Sequence, residues 1–308
     1  MDNIKLVALD MDGVMRIGKH AIPGIHPLLE KIKEKGLKAI VVTNECRYTE
    51  GKIRHDFYDM KIDWPDDWPI YTSAHSIRDF LVKMFNKPVA NKKGISRKTS
   101  SGVEMDGSVG NLLELVDDNN IEKYIGVVGE RGIREGVKEA IRRSGRGIKM
   151  ANLPPFERNE CELFLVIGTL YNVDITDLEK ALKWIQRGAK VVVSCPDITD
   201  PELKGDFSIC MPRHVLHMVR LNANTDYYCV GKPNALMARA IKHHFPQISL
   251  EEVLFVGDSL DTDIKLAEEN GMISALVLTG NTQITDLEKS CVQPDIVVND
   301  LVELTGMH

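Results

Sequence analysis

A chain of 308 residues is long enough for a large core and two domains, and 43% hydrophobic with 27% charged residues is the make-up of an ordinary soluble globular protein. The net charge of −6 argues against a general nucleic-acid binder, and no apolar run approaches the roughly 20 residues needed to span a membrane. The six cysteines, at 46, 161, 195, 210, 229 and 291, form no Cys-x-x-Cys pair, and the first residues lack the pattern of a secretory signal; both point to reduced thiols in a cytoplasmic protein.

The first predicted element is residues 6–9, Leu-Val-Ala-Leu. A continuous apolar run this short reads as a strand buried on both faces, as in a parallel sheet. It runs directly into Asp10, Asp12 and Gly13, followed by a stretch rich in turn formers at 16–24. Residues 26–35 have helical spacing, with Leu28, Leu29 and Ile32 on one face and Gly36 placed to end the helix. Residues 38–42 form a second buried strand ending in Thr43-Asn44, so residues 4–44 make a βαβ unit with both polar strand ends on one edge. A helix over 50–60, a loop packed by Trp64 and Trp68, a short strand at 70–71 and a helix over 74–85 follow. The stretch 86–120 breaks this rhythm; its first half is basic and polar, with little to bury, and reads as an exposed insertion.

Alternation resumes with strand 124–128, helix 133–143, strand 162–167, helix 175–187 and strand 190–194. Residues 195–211 are irregular and read as a functional loop. A short helix at 214–221, strand 227–230, helix 235–244, strand 253–256, helix 261–270 and strands 274–278 and 295–298 complete the chain. The pattern gives an α/β fold on a doubly wound parallel sheet.

Chemistry collects at the strand ends, where parallel sheets present their ligands. Asp10 and Asp12 repel each other unless a cation or proton lies between them, which suggests a divalent metal site with a carboxylate nucleophile; the plain alternative is a strand end with an Asp-Gly turn. A second strand end delivers Gly257-Asp258, with Asp263 five residues on, where a helix opens. Asp258 supplies a third carboxylate, and Mg2+ suits such a site because it prefers oxygen ligands and phosphate partners. Lys232, in Gly231-Lys-Pro233, can offset phosphate charge, though alone it reads as a surface lysine at a turn. Thr43-Asn44 can hold a phosphate through a hydroxyl and backbone N–H groups, or simply cap a turn.

Together, Asp10-Met-Asp-Gly-Val14, Thr43-Asn44, Gly231-Lys-Pro233 and Gly257-Asp-Ser-Leu-Asp-Thr-Asp263 resemble, in that chain order, the motifs of the haloacid dehalogenase superfamily. The chain looks most like the branch containing NagD, phosphoglycolate phosphatase, pyridoxal phosphatase and the 4-nitrophenylphosphatases. That branch inserts an α/β cap between the second and third motifs. Residues 22–24, 71–74 and 278–280 add supporting matches, so the resemblance spans nearly the whole chain.

The resemblance implies a core of residues 1–76 and 226–308, with a cap over 77–225. It implies a Mg2+-dependent phosphatase acting on a small phosphorylated metabolite, with a homodimer formed through the cap. In that reading Asp10 is the nucleophile that forms an aspartyl-phosphate, and Asp12 protonates the leaving alcohol and then activates water. Asp10, the backbone carbonyl of Asp12, and Asp258 hold Mg2+. Thr43, Asn44, Lys232 and the position of Glu45 cradle the phosphoryl group, and Asp263 supports them from behind. Two other readings share these residues: a non-catalytic binder of a phosphorylated ligand or protein, and phosphoryl transfer to an acceptor other than water.

The sequence also departs from the branch. Glu45 stands where another Asn is usual, Ser194-Cys-Pro-Asp197 replaces Thr-Asn-x-Asp, and Met211-Pro-Arg-His-Val215 replaces a Gly-rich segment. These changes, with the long 86–120 insertion, fall on substrate choice or cap packing. Gly126, Gly129 and Gly132 are spaced wrongly for a dinucleotide site. His214 and His217, three apart, read as ordinary histidines rather than a metal pair, with Arg213 or His214 a candidate to reach substrate from the cap.

Overall fold

The computed structural model describes residues 3–86, 122–145, 147–155, 161–168, 174–201, 207–220 and 225–306. Strand Leu6–Leu9 lies at the centre of a six-stranded, all-parallel sheet. On one side it pairs with Lys38–Thr43, which pairs with Ile70–Thr72. On the other it pairs with Val253–Gly257, followed outward by Ile273–Val277 and Ile296–Val298. The continuous apolar runs have a direct cause. Val7, Leu9, Val41, Leu254 and Val256 pack into one core layer, while Leu6, Ala8, Ile40, Val253 and Phe255 pack into the layer on the opposite face. Each such side chain, fully buried, contributes about 1.5–3 kcal/mol, so a polar residue inside these runs would be costly.

The expected helices are present at Ile25–Glu34, Glu50–Asp59, Ser73–Phe85 and Ala235–His244. Trp64 and Trp68 pack edge to face, 5.1 Å apart, with Trp64 Nε1 donating to Trp68 O at 2.9 Å. The stretch expected as an exposed insertion falls, from residue 87, outside the described residues.

A second, five-stranded parallel sheet forms the cap, in the order Tyr227–Cys229, Lys190–Val193, Cys161–Ile167, Glu122–Val128, Ile148–Met150. Two boundaries differ from the sequence reading. Tyr227–Cys229 pairs with Lys190–Val193, so this strand belongs to the cap sheet and the chain re-enters the core at Val230–Gly231. Helix Ser73–Phe85 starts on the core but buries Ile77, Phe80, Leu81 and Phe85 in the cap layer with Ile133 and Val137. A short apolar segment does not encode which of two sheets it joins. The irregular stretch 195–211 contains an antiparallel hairpin, Thr199–Pro201 with Phe207–Ile209. Strand Ile148–Met150, with one charged residue in three, carries no period that marks it in the sequence.

The helix at the core–cap junction has a titratable cap. Thr72 Oγ1 accepts from His75 N–H, and His75 Nδ1 accepts from Thr72 N–H at 3.2 Å, which requires a neutral imidazole. Burial, reinforced by Arg78, lowers the His75 pKa to about 4. Its folded pKa lies below its unfolded value, so the unfolded chain binds the extra proton first, and stability falls as pH drops from about 6.5 towards 4. That loss amounts to about 3 kcal/mol at the acid end. Glutamine at this position keeps a capping acceptor without the charge. Thermal melts from pH 7.5 to 4.5 should therefore show a shallower acid decline for His75→Gln than for the wild type; parallel declines would refute this role.

Candidate active site

The order of strands in the core sheet reverses between Leu6–Leu9 and Val253–Gly257. The chain moves outward from the first strand in one direction, passes through the cap, and returns on the first strand's other side. Such a switch point opens a crevice beyond the carboxyl ends of the two strands. Asp10 extends from one end and Asp258 from the other, and both are buried. Asp10, Asp12, Thr43, Asn44, Lys232 and Asp258 line a single cleft there.

Lys232 ties the cleft together. Its ammonium is buried, 2.6 Å from Asp10 Oδ1 and 2.6 Å from Asp263 Oδ1. The approach to Asp10 is an ion pair without hydrogen-bond geometry, and Asp10 Oδ1 is, among the described residues, a buried side-chain oxygen that accepts no hydrogen bond. Asp263 Oδ2 accepts from the backbone N–H groups of Asp258 and Ser259 at 3.1 and 3.2 Å, so Asp263 braces the loop and the lysine instead of facing the cleft. Asp258 Oδ2 accepts from Asn281 N–H at 2.6 Å. A Cβ at Gly280 would stand 1.9 Å from that oxygen and one at Gly13 2.4 Å, and Gly13 also has φ of +85°. Two glycines therefore make room for one carboxylate. Thr279 Oγ1 donates to Gly13 O at 2.6 Å, which gives the 278–280 match its physical role.

Asp10, Asp258 and Asp263 each bring a carboxylate oxygen within 4.8 Å of the other two. Burial pushes the Asp10 carboxyl up to about 8, against the pull of Lys232, and raises Asp258 strongly, with Asp263 and Asp10 adding to it. One lysine cannot balance three buried carboxylates. The orphaned Asp10 oxygen and this surplus of hard-oxygen charge fit a divalent cation such as Mg2+ at Asp10 and Asp258. The Asp12 carboxylate is committed elsewhere, to Arg16 Nε at 2.9 Å.

On the neighbouring strand end, Thr43 Oγ1 accepts from Glu45 N–H at 3.1 Å, leaving its hydroxyl proton for the cleft. Asn44 bridges core and cap: its Oδ1 accepts from Lys232 N–H at 2.7 Å, and its Nδ2 donates to Asp197 Oδ2 at 2.8 Å. The Glu45 carboxylate does not confront the cradle unpaired. It is gripped by Arg47 Nε and Nη2 at 2.9 and 2.6 Å, with Arg16 at 3.8 Å.

Sequence reasoning missed several of these groups. Arg16 and Arg47 sit close to the motif residues they hold, but nothing local marks that pairing. From the cap, Asp197, Thr199 and Cys210 line the cleft, whereas Arg213 and His214 are turned to the carbonyls of Pro196 and Ile198. The Asp197 signal was present as the last residue of Ser194-Cys-Pro-Asp197; burial now raises its carboxyl to about 6, opposed by Lys232 and Asn44. His217 lies beside Arg213 and shares no metal cluster with His214 among the described residues. No helix among those residues is long and apolar enough to cross a membrane.

Known proteins are similar to this chain over most of its length. The family model described as haloacid dehalogenase-like hydrolase matches residues 7–141, and a second, HAD-hydrolase-like, matches residues 229–304. Ribonucleotide monophosphatase NagD of Escherichia coli K12 is 24% identical over 301 residues, 98% of each chain. Dihydroxyacetone phosphatase of Corynebacterium glutamicum is 23% identical, over 96% of this chain and 88% of that one. The crystal structure of a 4-nitrophenylphosphatase from Thermotoga maritima superposes with a TM-score of 0.73 at 25% identity, covering 99% and 98% of the two chains. With the two matched segments carrying the four strand ends of the cleft, and relatives aligned from end to end, the chain belongs to the haloacid dehalogenase-like hydrolases.

Proposed function

We propose that the protein is a Mg2+-dependent phosphatase that hydrolyses a small phosphomonoester through an aspartyl-phosphate on Asp10. The observation that carries this reading is the Asp10 carboxylate, buried at the switch point with one oxygen beside Lys232 and accepting no hydrogen bond. A carboxylate held this way is costly unless a second cation shares it, and such perturbed carboxylates cluster at reactive sites. The named activities of the relatives, on phosphorylated nucleotides and on dihydroxyacetone phosphate, support a small anionic substrate for this chain as well.

Bound at Asp10 and Asp258, Mg2+ would reduce the repulsion between an attacking carboxylate and a phosphate dianion. The chain's own residues do the rest. Asp10 attacks phosphorus and the ester oxygen leaves with its electron pair, taking a proton from Asp12. Asp12 then removes a proton from water, whose oxygen attacks the phosphorus of the aspartyl-phosphate, returning Asp10 and releasing phosphate. Lys232 and the Thr43 hydroxyl carry the phosphoryl charge through both steps. Arg16 fixes the Asp12 carboxylate over the cleft, and the cap covers it and excludes water.

Phosphate release from a panel of phosphomonoesters, with Mg2+ and with chelator, tests the reading. Turnover should require the metal and fall at least about 1,000-fold in Asp10→Asn; metal-independent turnover, or an active Asp10→Asn, would refute it. Arg16→Lys keeps the charge but loses the fixed fork. It should lower kcat about tenfold, part of the usual general acid–base contribution, with KM little changed. A rise in KM at constant kcat would assign Arg16 to substrate binding instead.

A further inference from the structure

Beside the cleft, on the cap side, lies a group of side chains that the phosphatase chemistry does not use. Cys195 follows the carboxyl end of strand Lys190–Val193, and Cys210 follows strand Phe207–Ile209. The hairpin between them folds back, with Cys210 N–H donating to Ile198 O at 2.9 Å, and sets the two sulfurs 3.8 Å apart. Both cysteines are buried. Asp197, two residues past Cys195, brings a carboxylate oxygen within 4.8 Å of both sulfurs.

We propose that Cys195, Cys210 and Asp197 form a binding site for a thiophilic divalent cation, Zn2+, separate from the oxygen-only site at Asp10 and Asp258. The spacing carries it. Two thiolates on one tetrahedral zinc, each at about 2.3 Å, stand about 3.8 Å apart. A disulfide needs about 2 Å, so this pair would have to move to form one, but need not move to share a metal. The donor chemistry separates the two sites: soft thiolates select zinc, and carboxylates alone select magnesium. Two thiolates and one carboxylate leave a fourth tetrahedral position, and because Asp197 and Cys210 both line the cleft, the site borders it.

The carboxylate is already oriented as metal ligands usually are. Asp197 Oδ2 accepts a hydrogen bond from Asn44 Nδ2 at 2.8 Å, and Asn44 Oδ1 in turn accepts from the backbone N–H of Lys232. Metal binding expels two thiol protons to solvent and changes no oxidation state.

The test is a titration of the full chain, first stripped with chelator and then held in excess Mg2+. Cd2+ is followed by its ultraviolet thiolate charge-transfer band, and Zn2+ is used to displace it. One ion per chain is expected, with the band lost in Cys195→Ser and in Cys210→Ser and kept in Cys291→Ser, which changes an exposed thiol. Asp197→Asn should weaken binding at least about tenfold. Absence of a band in the wild type, or a band that persists in both Cys195→Ser and Cys210→Ser, would overturn the site. Should a serine variant not fold, Asp197→Asn decides, and unchanged affinity there would overturn it equally.

Discussion

The structure depends on one buried lysine. Lys232 places its ammonium between Asp10 and Asp263, and Asp263 in turn holds the loop that carries Asp258. Removing one member of a buried charged set costs about 3–5 kcal/mol, because the others are left uncompensated. The same lysine arrives from the segment that joins cap to core, and its backbone N–H is fixed by Asn44 from the strand on the opposite side of Leu6–Leu9. Catalytic charge, the cap crossing and the sheet's switch point therefore meet in one residue. A site of this kind assembles only when the whole sheet has formed, since its members come from positions 10, 44, 232 and 258 of the chain.

The strain of gathering three carboxylates is contained by shape as much as by charge. Gly13 and Gly280 leave space for Asp258, and Thr279 pins the turn after Asp12. Around this buried centre the arginines act as local counterions. Arg16 takes Asp12, and Arg47 takes Glu45, so the acidic residue that departs from the branch pattern adds no unpaired charge to the cradle. The other departures fall on the cap, from which Asp197, Thr199 and Cys210 line the cleft.

What the sequence made legible follows from the range of the interactions involved. Buried parallel strands announce themselves as continuous apolar runs, and an Asp or Thr directly after such a run has to lie at the sheet's edge. Asp10, Thr43 and Asp258 were readable for that reason, whereas Lys232, alone a surface lysine at a turn, was readable only from the order of the four motifs. Arg16 was not, because its partner is chosen by the turn at Gly13 and the hairpin that follows. Asp197 carried a signal in Ser194-Cys-Pro-Asp197, but Cys210 was unreadable as a cleft residue because a hairpin inside an irregular stretch brings it there. Tyr227–Cys229 was given to the core because a three-residue strand carries no mark of its neighbour, which only pairing with Lys190–Val193 decides.

The central claim is that Asp10 becomes phosphorylated during turnover. The most direct measurement is rapid acid quenching of the protein while it turns over 4-nitrophenyl phosphate with Mg2+, followed by mass spectrometry of the Asp10 peptide. The account predicts one phosphoryl group on Asp10, formed before phosphate is released and absent in Asp10→Asn. Steady turnover with no phosphoryl group on that peptide at any quench time would contradict it.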